Sequence, residues 1–157
     1  MSSIASRLLT LIAGKLKQRK ITAEGDELYL LRSKLRGWMP GDTRKYWWSL
    51  YLHRFYLPDQ DRALHNHPWR WAVSVVLAGG YTEERRLADG RVITRRLGPL
   101  SVNLLRQDSF HRIVELHDEP WTLFLVGPKV STWGFLEGGK YIPWRDRLRQ
   151  RGIEPSY

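Results

Sequence analysis

The 157-residue chain contains no cysteine. Disulfide staples and thiolate ligands are therefore excluded, and any metal must be held by nitrogen and oxygen. That favours iron, zinc, manganese, nickel or copper bound through imidazole. A cysteine-free chain is also compatible with a reducing cytoplasm, the expected compartment. Long apolar runs are missing too. The first sixteen residues carry Ile4, Leu8, Leu11, Ile12 and Leu16 at helical spacing, but the run is too short to span a bilayer and lacks a convincing cleavage site. It reads as an amphipathic helix that packs on the domain or on a partner, with a membrane-surface role as the lesser option. Acidic residues are scarce beside basic ones, 16 against 26, for a formal net charge of +10. Such a balance draws nucleic acid, anionic lipid or an acidic substrate without choosing among them. The excess gathers at both ends, from Arg7 to Lys20 and from Arg145 to Arg151.

Helical patterning is confined to those ends. Between them, short segments of strand character are separated by turn residues: 27–36, 46–57, 69–77, a hairpin over 81–97 folded about Asp89-Gly90, 101–106, 111–116 and 121–126. The pattern predicts an all-β sandwich or barrel of one domain, with a basic helix over 1–22, the barrel over 26–143 and a short basic helix or tail over 144–157.

The most informative motif is His65-Asn66-His67, delivered by the turn residues Pro58-Asp59-Gln60-Asp61. Histidines at i and i+2 on a β-strand share one face, so both imidazoles can reach one ion. His111, at the start of a later apolar strand, would complete a three-nitrogen face with coordination positions left open, the mark of a reactive rather than a structural site. The alternative is a polar strand terminus whose rings bind loop carbonyls. Glu115 would share the face of His111 on a regular strand, as a fourth ligand, a general base or a substrate anchor. Glu83, after Gly79-Gly80-Tyr81, is a second candidate carboxylate, read first as a solvated hairpin residue. His53 shares a face with Tyr51 and Phe55 and could line the pocket. The eight tryptophans are read mainly as barrel filling, with one or two available to stack on substrate.

His65, His67 and Gly79 fall on the spacing of the first motif of the cupin superfamily, with Ala72 where that motif carries a glutamate ligand. Of the second motif only His111 survives, with Glu115 at its asparagine position. The chain resembles a small three-histidine cupin over residues 45–127. The resemblance implies a jelly-roll barrel and a divalent metal, Fe(II) first among the candidates, held by His65, His67 and His111. Similarity to three-histidine cupins such as the thiol dioxygenases implies a non-haem iron oxygenase. The expected substrate is small or peptidic and anionic, with Glu115 or His53 moving protons. The other readings are a metal-assisted isomerase or hydrolase, and a non-catalytic basic binding module. A homodimer through the edge of the 81–97 hairpin is a further expectation, and nucleic acid or a membrane surface are lesser ones.

Overall fold

The computed structural model describes residues 3–23, 26–43 and 46–152. Two sixteen-residue strands, β5 (Trp71–Arg86) and β8 (His111–Val126), form the spine. They run antiparallel along most of their length, from Ala72 opposite Val126 to Arg85 opposite His111. On one half of this pair lie β7 (Val102–Arg106), beside β5, and the series β3 (Ser49–Phe55), β2 (Leu28–Arg36) and β1 (Gln18–Thr22), beside β8. On the other half lie β6 (Val92–Leu97), beside β5, and β4 (Leu64–His65), β9 (Gly134–Glu137) and β10 (Lys140–Pro143), beside β8. Curling of this antiparallel sheet produces the expected all-β barrel. Helices α1 (Ile4–Gly14) and α2 (Trp144–Gln150) stand at the two ends of the chain. Among the described residues, no helix is long and apolar enough to cross a membrane.

Three boundaries differ from the sequence reading. The predicted helix over 1–22 stops at Gly14, and residues 18–22 join the sheet as β1, paired with β2 from Gln18 opposite Ser33. Residues 1–2 and 153–157 of the predicted terminal segments lie outside the described residues. The segments 69–77 and 81–86 form one strand, as do 111–116 and 121–126. Irregular pairing at Val76/Ala78 and Ala78/Gly80 lets β5 continue through Gly79-Gly80 instead of ending there.

That irregularity changes which side chains face inward. Before it, Ala72 and Val76 point into the barrel; beyond it, Tyr81 and Glu83 do. An even run becomes an odd one because a bulge inserts a residue and reverses the alternation. Gly79 adopts φ +60°, and a Cβ there would lie 2.7 Å from the backbone of Glu119. Only glycine meets both demands. A second irregularity, where Thr82 faces Glu115 but Glu83 faces Ile113, shifts β8 in the same way.

The barrel interior is filled at one end by Met39, Tyr51, Ala72, Leu105, Phe124 and Val126, and at the other by Val76, Tyr81, Leu97 and Ile113. Outside the barrel, Leu9 and Ala13 of α1 pack on Leu52, Ala78 and Trp121. The Trp121 indole N–H donates to the buried Ser6 hydroxyl at 3.0 Å, and that hydroxyl donates to Glu119. Trp121 thus fills a core, whereas Trp47, Trp48 and Trp71 are exposed on the surface.

Gly79→Ala is expected to lower the unfolding free energy by roughly 2–4 kcal/mol, through left-handed strain and the backbone clash together. Urea denaturation measures this. A midpoint equal to that of the wild type would refute the role given to Gly79.

Candidate metal centre

The three histidines predicted from sequence come together. His65 ends β4 and pairs directly with His111, the first residue of β8. His67 lies two residues beyond β4, with its Nε2 2.9 Å from the Nε2 of His111. One ring nitrogen from each of the three lies within 4.8 Å of the others. The residue between the first two histidines holds them in place. Asn66 is buried, its side-chain amide donating to the Gln107 carbonyl at 2.9 Å and its carbonyl oxygen accepting from the Gly134 amide at 2.9 Å. Asn66 and Gly134 also bond through their backbones at 3.0 Å. Because side chains alternate, anchoring Asn66 away from the site turns its two neighbours toward it.

Two carboxylates stand behind the triad. Glu83 has no solvent exposure, contrary to the expected solvated hairpin residue. It accepts from His111 Nδ1 at 2.5 Å, from the Asn103 amide at 2.7 Å and from Arg95 Nε at 2.7 Å. The phase change between Val76 and Ala78 accounts for the discrepancy, since it turns position 83 inward. Asp59 Oδ2 stands 3.9 Å from His65 Nδ1, beyond hydrogen-bond reach but close enough to act through its charge. Asp59 is fixed by the Tyr29 hydroxyl at 2.6 Å and the Ile113 amide at 2.6 Å. An ionised Glu83 can only accept, so His111 Nδ1 donates to it and Nε2 is the nitrogen turned toward His67.

Burial acts on the other two rings. Burial pushes the His65 imidazole below the ordinary histidine value, partly opposed by Asp59. It pushes His67 well below, reinforced by His111, His65 and Arg32. Burial alone would raise the Glu83 carboxyl, but its bonds to His111, Asn103 and Arg95 prevail and lower it to about 2. Neutral imidazoles with carboxylates at their backs are what a divalent cation requires. The donor set therefore fits a metal ion.

The remaining sequence candidates separate. His53 is buried inside the barrel, its ring 4.9 Å from that of Phe124 and its Nε2 accepting from Arg32 Nε at 2.9 Å. Burial and the Arg32 charge keep it neutral. Arg32 lies 4.9 Å from the Tyr51 ring centre and 6.0 Å from that of Trp69, which itself stacks on His67 at 5.6 Å. Glu115 does not share the inner face with His111. The shifted register of β8 turns it outward, where its side chain is 66% exposed, 3.5 Å from the Thr82 hydroxyl and 3.8 Å from His117 Nε2. Asp59, Asn66 and Arg32 were missed as parts of the site, and Glu83 was ranked behind Glu115 as a candidate carboxylate.

A search of solved structures finds the same architecture elsewhere. DMSP lyase DddQ from Ruegeria pomeroyi superposes with a TM-score of 0.60 at 18% identity, over 84% of this chain and 66% of that one. The Fe(II) form of HppE gives 0.53 at 12% identity, over 74% and 57%. A deletion mutant of oxalate decarboxylase OxdC from Bacillus subtilis gives 0.55 at 12%, over 90% and 36%. All three are cupin-fold proteins. The chain has the cupin fold. It spans less than two thirds of the length of each of these cupins. No family model matches the sequence, and no curated protein does.

Glu83→Gln separates the carboxylate from the rest of the cupin core. With a folded value of about 2 against the usual 4.5, the ionised group contributes stability that is fully present above pH 4.5 and is lost as the pH falls toward 2. The contribution is on the order of 3 kcal/mol. Denaturation curves between pH 6 and 2.5 are expected to lose stability steeply in wild type and more gently in the variant. Parallel pH profiles would contradict an ionised, buried Glu83.

Proposed function

We propose that His65, His67 and His111 hold one divalent ion, Fe(II), and that the protein is a metal-dependent oxygenase acting on a small or peptidic anionic substrate. The observation that carries this reading is the convergence of three ring nitrogens whose outer edges face Glu83 and Asp59. Three protein ligands leave positions open, as a reactive centre requires and a closed structural one does not. Bound there, ferrous iron supplies the redox chemistry by which dioxygen is used.

The chain's own residues would bind and orient the substrate. Arg32 brings a cation into the barrel beside Trp69, which packs on His67, and its field already reaches the His67 ring. An anionic group approaching the triad would be attracted by this guanidinium. Phe124 and Trp69 would exclude water on the side of His67, strengthening that attraction. Of the two residues expected to move protons, His53 is the one inside the barrel. Its neutral ring, oriented by Arg32, would exchange a proton only once substrate has displaced that contact.

A metal-assisted reaction that does not use oxygen is the second reading. It draws support from the same fold in a DMSP lyase and in an oxalate decarboxylase. Fold alone does not choose between them.

Elemental analysis of untagged protein, grown with iron, zinc, manganese, nickel and copper all present, is the first test. Near-stoichiometric iron is expected in wild type and none in His67→Ala. In Glu83→Gln the affinity should fall by roughly 10- to 100-fold. Absence of metal from wild type after reconstitution would overturn the proposal. Oxygen uptake that depends on His111 would select the oxygenase, and turnover unaffected by removing oxygen would select the second reading. Arg32→Met is expected to raise KM for an anionic substrate at least tenfold, by loss of the charged pair, while metal content stays at the wild-type level.

A further inference from the structure

Helix α2 lends no buried residue to the core, and so short a helix does not hold together in water unaided. What fixes it is a group of contacts on the His65 side of the metal centre. Its first residue, Trp144, lies parallel to Trp133, with ring centres 5.8 Å apart and planes 4° apart, and the Trp144 amide donates to the Trp133 carbonyl at 3.1 Å. Trp133 and Phe135 in turn stand edge-on to the His65 ring at 6.2 and 6.3 Å.

Arg147, one turn later on α2, spans the two segments that enclose His65. Its Nε and one Nη each donate to the Asp61 carboxylate at 3.0 Å, and the other Nη donates to Glu137, the last residue of β9, at 2.9 Å. Asp61 lies in the loop that leads from β3 into β4, where it also accepts from the Ala63 amide at 2.9 Å. The same loop carries Asp59, 3.9 Å from His65 Nδ1. β9 lies on the other flank, with Phe135 paired directly with His65. The side chains of Arg147 and Asp61 are 17% and 10% exposed, so water and salt screen this fork less than they would a surface pair. Two parallel bonds also fix the angle between helix and loop, which one bond would leave free.

We infer that Arg147 is a positioning residue of the metal centre: its fork onto Asp61 and its bond to Glu137 lock the loop before His65 to the strand beside it, and so set the direction from which the His65 imidazole meets the ion. The inference rests on the metal site proposed above. β4 has only two residues, too few for its own ladder to fix that direction. A helix serving only to shelter the sheet edge would find its ionic partners on β10, the outermost strand. Arg147 finds them on β9 and on the loop leading into β4.

Co(II), titrated into the metal-free full chain and followed by its visible d–d absorption, reads affinity and ligand geometry without any turnover. Wild type is expected to take up one Co(II). Arg147→Gln and Asp61→Asn are each expected to weaken Co(II) binding about 3- to 10-fold, short of the roughly 10- to 100-fold loss found for groups bonded directly to a metal ligand, and to shift the absorption bands in the same sense. Because both remove one fork, the double variant should lose no more than either alone. Arg147→Lys keeps the charge without the fork and should recover affinity only in part. Arg149→Gln, at a side chain 61% exposed and paired within the helix, should match wild type. Circular dichroism checks that each variant is folded; should Arg147→Gln fail to fold, Asp61→Asn against wild type decides. Wild-type affinity and bands in a folded Arg147→Gln or Asp61→Asn, with only the melting temperature lowered, would overturn the inference and leave the metal site standing. Losses that add in the double variant would overturn it as well. A wild type that takes up no Co(II) would overturn the site itself, and the inference with it.

Discussion

The bond between the Glu83 carboxylate and the His111 imidazole joins the two long strands at the point where the histidines gather. It exists because β5 changes phase between Val76 and Ala78 and β8 changes phase opposite Thr82. Without the first shift, position 83 would face solvent. The same shift of β8 turns Glu115 out. A single pair of irregularities thus decides which of two carboxylates belongs to the interior, and with it which imidazole nitrogen is left to receive a metal.

The strand-rich class, the terminal helices and the three histidines were legible because each rests on local pattern. Alternation marks strands, turn residues mark their ends, and spacing of two puts His65 and His67 together. Glu83 and Glu115 were misplaced because strand parity was carried straight through segments where the sheet inserts a residue. β1, β4, β9 and β10 were not read as strands, being short and lacking a sustained alternation of their own. Their pairing depends on the neighbouring chain. The stripe on α1 was read as packing on the domain or on a partner, and Ile4, Leu8 and Leu11 in it are exposed. Small residues, Ser6 and Ala13, make the close contact with the sheet.

Charge is distributed with similar economy. The chain is strongly basic, yet the centre of the barrel is built from neutral rings backed by carboxylates. Arg95 offsets Glu83 from behind, and Arg85 shares Asn103 with it. Arg32 stands on the far side of His67, so the histidine cluster lies between a positive residue and a negative pair. An anion approaching from the Arg32 side is attracted by that polarity, whereas the carboxylate side is closed by protein contacts.

Asn66 has a consequence for motion. One side chain ties the histidine segment to Gln107, in the turn before β8, and to Gly134 at the start of β9. β4 itself has only two residues. The two histidines on that segment therefore cannot swing independently of the walls on either side. Opening this corner means releasing one side-chain amide from a turn and a strand at once, together with the backbone bond to Gly134, so its breathing is governed in part by a residue that stands between the histidines and turns away from them.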